Sequence, residues 1–173
     1  MTAPRVVLVG PMGAGKTTVA RILGRRWDVA IRDTDADVER LAGKTVQDMF
    51  VEDGEAAFRA LEASAVATAL AEHDGVLSLG GGAVLDPATR ERLDGHTVVF
   101  LRVGLADAVK RVGLAESRPI LNQAVGGVRT RIKSLLDERA PIYEAVATIT
   151  VDTDGRSPDD VAGEIIARLE ETR

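Results

Sequence analysis

The residues with the clearest chemical signature lie near the start of the chain. Gly10–Thr17, which reads Gly-Pro-Met-Gly-Ala-Gly-Lys-Thr, matches the phosphate-binding pattern G-x-x-x-x-G-K-[ST] at every fixed position. Its glycines allow successive backbone N–H groups to point at one anion. The ammonium of Lys16 suits β- and γ-phosphate oxygens, and the hydroxyl of Thr17 suits Mg²⁺. Because an apolar run, Val6–Val9, precedes the motif and a helical pattern follows it, the sequence predicts a cradle for nucleotide phosphates.

Two carboxylates, Asp33 and Asp35, come directly after a short strand predicted at Val29–Arg32. Their spacing would let one face Mg²⁺ and the other an acceptor hydroxyl, whereas the alternative is that either one simply caps the following helix. No N-K-x-D sequence of the kind that recognises a base in GTPases is present. The strand predicted at Val76–Leu79 ends in glycines, not in the acidic residue usual for motor and transport ATPases. These observations weigh against both classes.

Three consecutive glycines, Gly80, Gly81 and Gly82, follow that strand. Such a run indicates a backbone that must approach another group closely, and its N–H groups could bind a hydroxyl or a carboxylate; a flexible connection is the alternative. Guanidinium groups grip phosphate and carboxylate bidentately, although a lone surface arginine is usually only solvated. The candidate arginines are Arg59, Arg118, Arg139 and Arg156. Arg139 is predicted to end a helix before Pro141, where it could merely offset the helix dipole.

Five predicted strands alternate with helices, which implies a mostly parallel sheet covered by helices on both faces, a three-layer α/β architecture. The predicted strands lie at 6–9, 29–32, 76–79, 97–102 and 147–151, and the main helices lie at 53–73, at 86–94, from 105, from 128 to before Pro141, and from 158. The polar segment 115–127 is predicted to be a mobile loop. Ligands of such sheets bind beyond the carboxyl ends of the strands. We expect one domain spanning residues 1–173.

Composition restricts the class of protein. The 173 residues carry a net charge of −5, which weighs against a general nucleic-acid binder, and 18 arginines against 4 lysines mildly favour small anions. The absence of cysteine excludes thiolate sites, and with only His73 and His96 a multi-histidine metal site is disfavoured. No apolar run approaches the roughly 20 residues that span a bilayer, and the start lacks a signal-peptide pattern. A cytoplasmic protein without membrane contact is expected.

Taken in their order along the chain, these motifs resemble those of shikimate kinases. The resemblance covers nearly the whole chain and rests on the phosphate cradle, Asp33-Thr34-Asp35, Gly54-Glu55 followed by Phe58-Arg59, Gly80–Ala83, Arg118-Pro119 and Arg139-Ala140-Pro141-Ile142-Tyr143. It implies a P-loop kinase fold like that of nucleoside monophosphate kinases, with a five-stranded parallel sheet, a shikimate-binding region at about 33–61 and a mobile lid at about 112–127. It also implies a cytoplasmic monomer that uses Mg²⁺ and phosphorylates the 3-hydroxyl of shikimate with ATP, a step toward chorismate and the aromatic amino acids.

The resemblance further implies roles residue by residue. ATP would be bound by Gly13, Ala14, Gly15, Lys16, Thr17, Thr18, Arg111, Arg118 and Arg156, with Arg111 and Arg156 at the adenine. Shikimate would be bound by Asp35, Arg59, Gly80, Gly81, Gly82 and Arg139, with the two arginines at its carboxylate. Thr17 and Asp33 would serve the metal ion. Catalysis would rest on Lys16, Asp35 and Arg118, with Asp35 orienting the attacking hydroxyl.

Two other functions stay open at this point. A related small-molecule kinase that phosphorylates gluconate or a nucleoside monophosphate would share the cradle, and the triple glycine and the Arg-Ala-Pro-Ile-Tyr sequence are what favour shikimate over these acceptors. A nucleotide-binding regulatory module would have no acceptor at all, and it would give the paired aspartates and the arginines no obvious purpose.

Overall fold

The computed structural model describes residues 2–113 and 127–172. Along the chain it contains β1 (Val6–Val9), α1 (Lys16–Trp27), β2 (Ile31–Asp33), α2 (Thr34–Ala42), α3 (Val46–Glu52), α4 (Glu55–Glu72), β3 (Val76–Ser78), a 3₁₀ turn (Ala83–Leu85), α5 (Pro87–Leu93), β4 (Val98–Arg102), α6 (Leu105–Gly113), α7 (Val128–Val146), β5 (Ile149–Asp152) and α8 (Pro158–Glu171). The lid predicted at about 112–127 lies almost entirely outside the described residues, as does Arg118. No helix within the described ranges is long and apolar enough to cross a membrane.

The five strands form one parallel sheet in the order β2-β3-β1-β4-β5. The central strand β1 is apolar throughout and fully buried, as a strand covered on both faces must be. Because β2, β3 and β1 are neighbours, their carboxyl ends, and with them the aspartates, the glycines and the phosphate cradle, meet at one edge of the sheet. The predicted α/β class and parallel sheet are confirmed.

Helices cover both faces of the sheet and create two main cores. Leu8 faces α1, α6 and α8, whereas its neighbour Val9 faces α4 and α5, since successive strand residues point to opposite sides. Helix α7 contributes to both cores, with Ile132 in the first and Tyr143 in the second. The helix therefore joins the two faces of the domain and extends alongside the functional edge of the sheet.

A third, smaller core is built by α2, α3 and α4 around Val38, Met49 and Phe58. Apart from the alternative in which Asp33 or Asp35 caps a following helix, the sequence pattern does not indicate α2, and it does not predict α3. The predicted helix end before Pro141 is wrong, because α7 continues to Val146 with the proline inside it. An interior proline costs about 3 kcal/mol, and burial of the following turn, Tyr143 above all, against the sheet offsets that cost.

Candidate active site

The phosphate cradle lies between β1 and α1. Gly10, Gly13 and Gly15 have φ values of 152°, 83° and 90°, which residues with side chains rarely adopt. Gly10 is also required sterically, because a Cβ atom there would lie 2.7 Å from the carbonyl oxygen of Leu101. Helix α1 begins at Lys16 and has no acidic residue in its first turn, so the positive end of its dipole is not neutralised. The loop therefore has the backbone geometry and the electrostatics of an anion site.

A cavity of about 270 Å³, here called the cradle cavity, lies beside this loop. Lys16 lines it, and its Nζ donates hydrogen bonds to the carbonyl oxygens of Gly10 at 2.7 Å and Pro11 at 3.1 Å. Ala14 does not line this cavity: its side chain is buried in the core against α1, and its N–H donates to the Pro11 carbonyl at 3.2 Å. The residues predicted to bind nucleotide or metal that do line it are Gly13, Gly15, Lys16, Thr17, Thr18, Asp33 and Arg111.

The two aspartates stand where β2 passes into α2. Asp33 is the N-cap of α2, and its Oδ1 accepts a hydrogen bond from the N–H of Asp35 at 2.9 Å. Asp33 therefore caps the following helix, as one of the two interpretations of the sequence predicted, and it also lines the cradle cavity. Asp35 lies in the first turn of α2, not on an extended turn, and lines both the cradle cavity and a second cavity beside it. Asp35 therefore stands where the two compartments meet.

The second cavity, here called the acceptor cavity, measures about 350 Å³ and adjoins the first along a wall of Met12, Asp35 and Gly81. The rings of Phe50 and Phe58, with centroids 4.9 Å apart, give it an apolar side. Its remaining lining residues are Glu39, Thr45, Val46, Gln47, Arg59, Glu62, Gly82 and Arg139. The guanidinium of Arg59 lies over the Phe58 ring, with Cζ 5.1 Å from its centroid. A cavity that combines aromatic rings with two arginines suits a small ring compound that carries a carboxylate.

Four charged side chains that line the acceptor cavity influence one another electrostatically: Asp35, Arg59, Glu62 and Arg139. Nη1 of Arg59 pairs with Oε1 of Glu62 at 2.8 Å. Glu62 is only 3% exposed, and this burial raises the pKa of its carboxyl, with Asp35 raising it further and Arg59 and Arg139 acting in the opposite direction. A ligand carboxylate would therefore meet an Arg59 guanidinium that Glu62 already holds in place.

The glycine loop, Gly80–Gly82, packs directly against these charged residues. A Cβ atom on Gly80 would lie 2.5 Å from Oδ1 of Asp35, and one on Gly82 would lie 2.6 Å from Cζ of Arg59. The close approach predicted from the sequence is confirmed at both positions. Gly80 lines the cradle cavity, Gly82 lines the acceptor cavity and Gly81 lines both. Binding of a ligand by the N–H groups of the loop stays a prediction.

Arg139 reaches the acceptor cavity from the middle of α7. It is 5% exposed and lines the cavity together with Arg59 of α4. The interpretation that it offsets the dipole at a helix end is wrong, because α7 continues to Val146. The fold thus brings together two arginines that lie far apart in the sequence, since α4 and the second half of α7 cover the same face of the sheet.

The three arginines predicted to contact ATP are placed differently. Arg111 donates from Nη1 to the carbonyl of Gly13 and from Nη2 to the carbonyl of Thr153, both at 3.0 Å, and so joins the cradle to the segment after β5. Arg156 lies in that segment, where it pairs with a glutamate of α8 at 2.8 Å, and it lines neither cavity. Arg118 lies outside the described residues.

Comparison with known proteins assigns the chain to a family. A family model described as shikimate kinase matches residues 12–170. A shikimate kinase from Thermobifida fusca is 57% identical over 165 residues, which cover 95% of this chain and 94% of that one. The chain belongs to the shikimate kinase family. A second relative in the shikimate kinase family, from Streptomyces avermitilis, is 52% identical over 170 residues, covering 98% of each chain.

Solved structures of shikimate kinases have the same architecture. The enzyme from Acinetobacter baumannii, solved in complex with shikimate, matches with a TM-score of 0.93 at 32% identity, covering 100% of this chain and 96% of that chain. The enzyme from Aquifex aeolicus matches with a TM-score of 0.82 at 29% identity, covering 96% of each. The P-loop kinase fold expected from the motifs is thereby confirmed.

The sequence analysis does not single out Glu62, an acidic residue that lines the acceptor cavity of this member of the shikimate kinase family. It follows Arg59 by three positions on α4, a spacing that predicts a contact on one helix face. The same spacing occurs on solvated helix faces, so it could not reveal a buried pair. Phe50 is a second residue that the sequence analysis does not single out: it packs against the small core and also lines the acceptor cavity.

Proposed function

We propose that this chain transfers the γ-phosphoryl group of ATP to the 3-hydroxyl of shikimate, giving shikimate 3-phosphate and ADP. The observation that carries the proposal is the wall of Met12, Asp35 and Gly81 that the cradle cavity and the acceptor cavity share. A nucleotide on one side and a small acid on the other would meet at Asp35. Phosphoryl transfer asks the protein mainly for such positioning and for neutralisation of charge.

Recognition of the acceptor is assigned to the acceptor cavity. Arg59 and Arg139 would bind the carboxylate, and charge-assisted bonds of this kind contribute on the order of 1.5–3 kcal/mol each. The rings of Phe50 and Phe58 would contact the carbon ring of shikimate. The N–H groups of the glycine loop would bind an oxygen of the ligand. Two arginines would select an acid over a neutral sugar of the same size.

Recognition of ATP is assigned to the cradle. The amides of Gly13–Thr18 would bind the phosphate oxygens at the positive end of α1, and Lys16 would place its charge at the β- and γ-phosphates. Arg111 and Arg156 are assigned to the adenine and Arg118 to the phosphates. The hydrogen bonds of Arg111, which join the cradle to the segment after β5 that contains Arg156, support its assignment.

The residues at the cradle fit a magnesium ion. Thr17 and Asp33 both line the cradle cavity and both offer oxygen donors, the ligands that Mg²⁺ prefers. Within residues 2–113 and 127–172 no group of three or more His, Cys, Asp or Glu side chains is arranged to hold a metal. A site with few protein ligands suits Mg²⁺ bound mainly by water and substrate phosphates. A bound ion would neutralise phosphate charge, and Thr17 and Asp33 are the residues that would hold it, Thr17 directly and Asp33 in the outer shell.

The chemical step is assigned to residues on the shared wall and the cradle. Asp35 would accept a hydrogen bond from the 3-hydroxyl, orient its oxygen toward the γ-phosphorus and accept its proton as the new O–P bond forms. The bond between the γ-phosphorus and the β,γ-bridging oxygen would break in the same step, and ADP would leave. Lys16 and Arg118 would neutralise the oxygens of the transferring group. We further propose one functional domain over 1–173, with the acceptor region at about 33–61 and a closing lid at about 112–127, acting as a monomer in the cytoplasm.

The decisive experiment measures ADP release in a coupled assay with ATP, Mg²⁺ and one acceptor at a time. Shikimate should support turnover, whereas gluconate and AMP should not. Turnover with gluconate or AMP and none with shikimate would indicate a different kinase. Nucleotide binding without ADP release for any acceptor would indicate a regulatory module.

A matched pair of variants tests the role of the guanidinium fork. Arg59→Lys keeps the charge but loses the bidentate geometry, so KM for shikimate should rise more than KM for ATP. Arg40→Lys is the control, because the side chain of Arg40 is 70% exposed on α2 and lines neither cavity. Equal effects of the two variants on KM for shikimate would contradict the assignment of Arg59.

A further inference from the structure

The segment Arg139–Tyr143 ends in Tyr143, a residue with no role in the reaction proposed above. Tyr143 follows Arg139 by four positions on α7, so the two side chains lie on the same face of the helix. Tyr143 is 1% exposed, and its ring packs on Phe100 of β4 with centroids 5.0 Å apart. Packing alone would be served equally well by phenylalanine, so the hydroxyl group needs an explanation.

The hydroxyl of Tyr143 donates a hydrogen bond to the carbonyl oxygen of Gly81. Gly81 is the residue of the glycine loop that belongs to the wall between the two cavities. The positive charge of Arg139, one helical turn away, acts on the same hydroxyl and lowers its pKa. One phenol group therefore donates a hydrogen bond to a wall residue and lies on the same helix face as an arginine of the acceptor cavity.

A second buried hydroxyl holds the other end of the glycine loop. Oγ1 of Thr34, which is fully buried, accepts a hydrogen bond from the N–H of Gly80 at 3.1 Å. Thr34 stands between Asp33 and Asp35, so this bond ties the loop to the first turn of α2. The glycine loop is thus held from α2 on one side and from α7 on the other.

We propose that Thr34 and Tyr143 are positioning residues that clamp the glycine loop and thereby fix the geometry between Asp35 and Arg139. The inference rests on the proposed function, because Asp35 and Arg139 are residues assigned there to the acceptor hydroxyl and carboxylate. Glycines supply no side chains to hold a loop in place, so its position depends on bonds to its backbone. The clamp would keep the hydroxyl of the acceptor aligned while its carboxylate is bound.

The state of the phenol is consistent with a donor role. Burial raises the pKa of Tyr143 to about 12, with Arg139 acting in the opposite direction. The phenol therefore keeps its proton at neutral pH and donates to Gly81 throughout the range in which the enzyme would be assayed.

The test is steady-state kinetics of Tyr143→Phe with shikimate and ATP varied separately. Loss of one hydrogen bond should raise KM for shikimate by about five- to tenfold, with KM for ATP near its wild-type value. Thr34→Val should produce the same selective rise, and Thr34→Ser, which keeps a hydroxyl, should restore most of the wild-type KM. Thr89→Val is the control: its hydroxyl is also buried and hydrogen-bonded, at 3.1 Å to Asp86, but it lines neither cavity.

Wild-type KM for shikimate in Tyr143→Phe and Thr34→Val would overturn the clamp, as would equal rises for both substrates or a rise matched by Thr89→Val. These outcomes differ from failure of the proposed function, which would appear as wild-type protein that releases no ADP with shikimate. If Thr34→Val does not fold, Tyr143→Phe decides the question, since the phenylalanine ring preserves the packing on Phe100.

Discussion

Replacing Gly82 with alanine tests whether the glycine loop sets the position of Arg59. Gly82 has a negative φ of −101°, so an alanine adds a steric contact without forcing the backbone into a left-handed conformation. The added Cβ atom would lie 2.6 Å from Cζ of Arg59. Carbon atoms in contact are roughly 3.5–4.0 Å apart, so the guanidinium must move by about 1 Å. A misplacement of that size in a catalytic site can cost about 100-fold in rate.

The assay for Gly82→Ala is steady-state kinetics with each substrate varied in turn. We expect kcat/KM for shikimate to fall by about 10- to 100-fold and KM for ATP to stay near its wild-type value. Gly163→Ala is the matched control, because a Cβ atom at Gly163 in α8 meets nothing closer than 3.6 Å. A folded Gly82→Ala variant with wild-type kcat/KM for shikimate would refute the reasoning, since Arg59 would then function from more than one position.

Three further substitutions test the assigned roles. Lys16→Met should lower kcat by about 100-fold or more, because the phosphates lose a cation, while the melting temperature stays close to wild type; near-normal turnover would remove Lys16 from catalysis. Asp35→Asn should bind ATP normally in titration calorimetry yet lower kcat by about 100-fold, and an ordinary kcat would exclude Asp35 as the base. Glu62→Gln should change how the free energy of unfolding depends on pH, because burial raises the pKa of Glu62 in the folded protein. As the pH falls through that raised pKa toward the ordinary value of 4.5, the wild type should become more stable relative to the variant. Urea unfolding at several pH values measures the difference, and a constant difference would contradict the effect of burial.

Local signals in the sequence predict the parts of the site that are built locally. The phosphate cradle needs only glycines, Lys16 and Thr17 at fixed spacing between a strand and a helix, and each is where the pattern requires it. The five strands are also predictable, because short apolar runs with turn residues after them leave little choice of structure.

The parts that the sequence pattern does not predict depend on contacts between distant segments. Helices α2 and α3 are short and bury few residues, so their apolar spacing is weak, and they are fixed by the small core around Phe58. Helix α7 contains a proline that locally indicates an end, and packing of Tyr143 overrides that signal. The pairing of Glu62 with Arg59 becomes evident only when burial is known.

The small core of α2, α3 and α4 lies beside the acceptor cavity, whereas the cradle is supported by the core around β1 and α1. Val38, Met49 and Phe58 pack with one another, apart from the residues that support β1 and the cradle. Substitutions among these core residues should change the walls around the acceptor more than the cradle, to which α2 contributes only through its N-terminal end, at Asp33 and Asp35. Evolution or a protein engineer could therefore redirect the transferred phosphate to a different hydroxy acid by rebuilding the small core around Phe58.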